Sequence, residues 1–102
     1  MIPLKNIEEL ISKHLLLEKD LASGKMDKKI FAEKSKEYSD LNEIIDSAKK
    51  YVSFEKDKIG LEKILDDKNT DVELKNMAHR ELEDLKIENK KIEKKLKLFL
   101  IP

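Results

Sequence analysis

Apolar side chains return along this chain at three- and four-residue steps, and charged residues fill the intervals. Leu4, Ile7, Leu10, Ile11, His14, Leu17 and Leu21 share one face of a helix. Pro3 stands where that helix begins and Gly24 where it ends, the usual asymmetry of helix punctuation. Asp27 is placed to cap a second helix. From there Phe31, Tyr38, Ile45, Val52 and Ile59 recur every seven residues, with Leu41 and Ala48 between them, a coiled-coil-like seam. The pattern predicts one helix to about residue 66, roughly 57 Å long at 1.5 Å per residue. Gly60 is its weak point and a candidate bend. Asp66 to Asn69 read as a turn, and Thr70 with Glu73 as a capping box. A third helix carries Leu74, Ala78, Leu82, Leu85, Ile92, Leu96 and Phe99 on one stripe, which predicts that Phe99 is buried. The expected helices cover about 4–23, 28–66 and 71–99, with no strand.

Short connections make neighbouring helices antiparallel. The first helix is too short to cover more than half of the second. The fold expected is therefore all-α: a three-helix bundle, with a long antiparallel hairpin of the second and third helices projecting from it. That hairpin would run from about Tyr51 to Leu85 through a turn near Lys68.

Composition agrees with this outline. Charged residues make up 43% of the 102 and aromatic residues 5%, too polar for a thick core but suited to helices sharing a narrow seam. Disorder is disfavoured because net charge is zero and the periodicity is strong. The absence of cysteine removes disulfides and thiolate metal sites. No apolar run approaches the ~20 residues of a membrane span. The N-terminus lacks a signal-peptide layout, so a cytoplasmic protein without membrane contact is expected.

Candidate chemistry is sparse. His14 and His79 are the only histidines and belong to no metal-binding pattern; His14, on the apolar stripe, reads as a boundary residue. The acids are scattered over helix surfaces, and there is neither a glycine-rich phosphate loop nor a nucleophile elbow. No catalytic residue, cofactor or metal is expected, and the chain is not read as an enzyme. Asn89 falls where the third stripe calls for an apolar side chain. It is either an exposed seam edge or a polar layer that fixes helix register.

Charge is uneven despite its zero sum. Residues 86–97 hold six lysines and two glutamates; residues 66–73 hold four acids and one lysine. Lys90, Lys91, Lys94, Lys95 and Lys97 are thus candidate RNA contacts, but acids at the start of a helix and bases at its end also complement the helix dipole. Only one of the 22 basic residues is arginine, Arg80, and no aromatics interleave the lysines, so base-specific reading is not indicated.

Particular segments resemble a known family. Phe31–Leu41, FAEKSKEYSDL, is similar to a Phe-x-x-x-Ser-(Arg/Lys)-Glu-Tyr run of the bacterial-type peptide chain release factor 1 family. Ile64–Leu82, ILDDKNTDVELKNMAHREL, resembles that family's next stretch, with Met77, Ala78, Glu81 and Leu82 on matching places. The end, LKLFLIP, resembles its leucine-rich segment closing in Pro. Val72 departs, standing where the family usually has Pro. Release factor 2 fits less well. The resemblance implies the N-terminal domain, residues 1–102, of a factor acting at UAA and UAG stop codons. In that family this domain lies towards the stalk base of the large ribosomal subunit, near protein and rRNA. The codon-reading domain and the domain with the Gly-Gly-Gln loop are expected to follow, and this chain would be a fragment lacking both. The alternative is a free-standing helical coiled-coil adaptor or scaffold.

Leu98, Phe99, Leu100 and Ile101 are four consecutive apolar residues, and one helix face cannot take them all. With Phe99 assigned to the stripe, Leu98, Leu100 and Ile101 are left for docking against the other domains of the factor. In a fragment they would support a weak dimer.

Overall fold

The computed structural model describes residues 1–101. Four helices occupy them, α1 (Leu4–Ser23), α2 (Lys28–Asn42), α3 (Ile45–Asp66) and α4 (Val72–Leu100), and no strand occurs among the described residues. The all-helical class expected from the sequence is therefore what the chain adopts.

Local chemistry explains most boundaries. Pro3 precedes α1, where its missing N–H costs nothing, and Gly24 ends it at φ 68°, a left-handed conformation that suits glycine. The Asp27 carboxylate accepts from the Ile30 amide at 2.9 Å, capping α2 as expected.

The long second helix does not exist as one piece. Helical structure stops after Asn42 and resumes at Ile45, so the heptad run is divided between α2 and α3. Neither Gly nor Pro marks this break. Leu41, Ile44 and Ile45 are all buried. Their steps of three and four residues put them on one face, which stays covered through the break. The interruption lets α2 lie on α1 while α3 turns to pack on α1 and α4.

Two antiparallel pairs overlap in the middle of an elongated molecule of 61 × 27 × 19 Å. In the first, Lys13 of α1 pairs with Glu37 of α2, and Lys34 with Asp20 at 2.8 Å. In the second, Lys50 of α3 pairs with Glu88 of α4 at 3.1 Å. Ile2, Ile7, Leu17, Leu41, Ile44, Ala48, Tyr51, Ile92 and Leu96 form the core where the two pairs overlap. Tyr51 ties the N-terminal segment into it: its hydroxyl accepts from the Ile2 amide (3.0 Å) and donates to the Ile2 carbonyl (3.3 Å).

Other expectations are corrected at helix ends. Thr70 and Glu73 form no capping box. Asp67 takes the Asn69 amide on its side chain (2.9 Å) and the Thr70 amide on its carbonyl (3.2 Å), so Thr70 closes a tight turn. The cap passes to Asp71, whose carboxylate accepts from the Leu74 amide at 2.8 Å. Gly60 sits inside an unbroken helical segment, and a Cβ there would meet nothing. Phe99 is not buried: it remains 36% exposed.

Candidate functional site

α4 is a regular helix whose buried residues, Ala78, Leu82, Ile92 and Leu96, fix which face it turns inward. The 100° step then distributes the rest. Lys86, Lys90, Lys94 and Lys97 fall along one flank of the outer surface, and Lys91 and Lys95 along the other. Ile87 and Leu98 stand between the two rows, both exposed. Lys90, Lys94, Lys97 and Leu98 line a shallow cleft of about 390 Å³ with Glu93.

The five candidate lysines are not equivalent. Lys97 is paired with Glu93 at 2.9 Å, and the Met1 amino group approaches the same carboxylate at 3.3 Å. The Lys97 hydrogen bond holds the Glu93 carboxyl below its ordinary pKa, the amino group adds to the effect, and partial desolvation opposes it. The same hydrogen bond raises Lys97. Lys90, Lys91, Lys94 and Lys95 are exposed and make no ion pair among the described residues. The helix dipole acts within the last turn. Lys97 lies in that turn, but Lys90, Lys91, Lys94 and Lys95 precede it. The dipole therefore accounts for one lysine of the five.

Of the docking candidates, Leu98 and Ile101 are each 65% exposed and Leu100 is exposed as well. Leu100 ends the helix and Ile101 is extended, at φ −69° and ψ 125°. None of the three is absorbed by the core. Lys86 and Ile87 also belong to this surface. Lys86 belongs to the basic stretch of residues 86–97, but neither it nor Ile87 is among the candidate contacts above, although their spacing from Lys90, Lys94 and Leu98 is the available signal.

His14 has a structural task. Its ring stacks on Tyr38 (centroids 4.7 Å apart, planes 20° apart), and Nε2 donates to Asn42 Oδ1, fastening α1 to the end of α2. His79 is exposed on α4. No group of three or more His, Cys, Asp or Glu is arranged to hold a metal among the described residues, and no helix is long and apolar enough to cross a membrane.

Comparison with known proteins places this surface in context. The PCRF domain model matches residues 10–102. Peptide chain release factor 1 of Pelagibacter ubique (strain HTCC1062) is 70% identical over the whole chain, which covers 29% of that relative, in its N-terminal region. Peptide chain release factor 1 of Ehrlichia canis (strain Jake) is 38% identical over 95% of the chain and 27% of the relative. That of Orientia tsutsugamushi (strain Boryong) is 35% identical over the same shares, 95% and 27%. The chain thus spans less than a third of the length of these relatives. No solved structure matches. With the domain model covering all but the first nine residues, the chain belongs to the PCRF domain family.

Proposed function

We propose that this chain is the N-terminal, ribosome-engaging domain of a class I peptide chain release factor that terminates translation at UAA and UAG codons, and that it carries no catalytic group itself. The observation that carries this reading is the 70% identity, over every residue, to the N-terminal region of a peptide chain release factor 1. The elongated shape and the unpaired lysines on the outer face of α4 support a binding role. On this reading the factor works in the cytoplasm, and its partners are protein and rRNA at the stalk base of the large subunit. The domains that read the codon and promote hydrolysis follow in the same chain.

Two measurements test it. The purified chain should release no peptide from stop-codon ribosome complexes, and stop-codon-dependent release by it would overturn the assignment. The full factor lacking this domain should bind ribosomes more weakly while keeping most of its release rate at saturating concentration. Unchanged affinity would count against the ribosome-engaging role.

On the same reading Lys90, Lys91, Lys94 and Lys95 meet RNA phosphates, with Lys97 held back by Glu93. Changing Lys90, Lys94 and Lys97 to Glu in the full factor should lower ribosome affinity and flatten its salt dependence. If the lysines serve only helix stability, affinity will not move.

Leu98, Leu100 and Ile101 pack against the domains that follow. In the isolated chain the same side chains support a weak dimer. Burying each stabilises by roughly 1.5–3 kcal/mol, doubled across a two-fold contact, against an association cost of about 4–15 kcal/mol. Sedimentation equilibrium should show self-association that a version ending at Lys97 loses. Monomers in both cases would refute the dimer.

A further inference from the structure

Four independent observations meet at one level of the α3/α4 pair. Asn89 occupies the buried stripe of α4 between Leu85 and Ile92, and its Oδ1 is buried without a donor from any described residue. Clefts of about 180 Å³ and 200 Å³ open beside it, and Phe54 lines both, so the layer is loosely filled. Across the seam the Ser53 hydroxyl donates to the Lys50 carbonyl of its own helix at 3.1 Å. Such back-bonding competes with the helical ladder and is associated with bending. Finally, α1 starts here: Leu4 lines one of these clefts, whereas the cleft nearer the turn, beside Gly60, is lined by α3 and α4 residues alone.

We propose that the Ser53–Phe54–Asn89 layer is a joint at which the distal part of the α3/α4 pair bends against the core formed with α1 and α2. A seam meant to be rigid would carry Leu or Ile at position 89, as it does at positions 82, 85, 92 and 96. An amide oxygen kept from its donors destabilises the closed layer relative to one that admits water. The clefts are large enough for water to reach it when the helices part. On either side the stripe has buried side chains, Leu82 towards the turn and Ile92 and Leu96 towards the core. Opening is therefore confined to the layer between them and does not fray the whole pair.

Hydrogen exchange on the chain tests this. The wild-type profile along α4 should show protection near residue 82, a minimum at residues 86–90, and renewed protection from residue 92. A smooth gradient from the core to the turn would overturn the joint. Asn89→Leu should slow exchange at residues 86–90 by about tenfold, equivalent to about 1.4 kcal/mol, and leave residues 94–97 unchanged. No slowing in a folded variant would also overturn it. If Asn89→Leu fails to fold, Ser53→Ala supplies the second reading: it should reduce the minimum, and an unaltered minimum counts against the joint.

Discussion

The core end and the distal α3/α4 pair use the same kinds of side chain in nearly the same spacing and bury them very differently. Around Ile7 and Leu96, where α3 has neighbours on more than one side, both side chains are 0% exposed. Towards the turn, α3 and α4 have only each other. Ala78 and Leu82 are covered there, while Ile59, Leu74 and Met77 stay largely open. Burial follows the number of helices at each level, and the local quality of an apolar stripe does not predict it. This also explains why α3 carries apolar residues around much of its circumference: it is the one helix packed against all three others.

The largest effect should come from breaking the core end. Ile7→Ala or Leu96→Ala should destabilise by about 2–5 kcal/mol, whereas Leu74→Ala should cost under about 1 kcal/mol. Urea titration of the three variants decides it, and equal losses would refute the contrast. Asp71→Ala should cost about 1 kcal/mol by removing the α4 cap. Its increase in hydrogen exchange should stay near the turn and leave Leu96 protected. Gly60→Ala should stabilise by about 0.5–1 kcal/mol, because the position is helical and open. Thermal unfolding should show a higher midpoint; a lower one would mean that α3 is not straight there.

The smallest effect concerns the ion pair at the core end. Because the folded-state pKa of Glu93 is lowered, its contribution to stability is present above the ordinary carboxylate value of 4.5 and lost as pH falls through the lowered one. A carboxyl NMR titration should place the Glu93 midpoint below that of exposed glutamates, and Lys97→Met should move it up. An unmoved midpoint would show that Lys97 is not the cause.

What could be read from the sequence was what local chemistry decides. Pro3, Gly24 and Asp27 act through their own backbone or side chain within a turn, and each marks the boundary it was expected to mark. The break after Asn42 has no local mark in the sequence, where neither Gly nor Pro stands at residues 42–45. Phe31, Tyr38, Ile45, Val52 and Ile59 keep their period across it, so the apolar pattern carries no sign of it. Phe99 continues the α4 stripe but is 36% exposed, one residue from the end of the helix. Thr70 lost the cap to its neighbour because Asp67 had already drawn Thr70 into a turn. At the lysine surface, composition located the cluster. The partner of Lys97 is Glu93, one turn away on the same helix, a pairing the spacing itself offers; only the approach of the Met1 amino group to that carboxylate is set by the fold.

The bonds between Tyr51 and Ile2 join residues 49 positions apart, whereas each helical pair closes through a short connection. Loop-closure entropy grows with the length closed, so α1/α2 and α3/α4 should each assemble before the N-terminal segment is fastened. Topology dominated by such near-neighbour pairing belongs to the fast-folding class. Tyr51→Phe should then accelerate unfolding and leave the folding rate nearly untouched, the kinetic mark of an interaction made after the transition state.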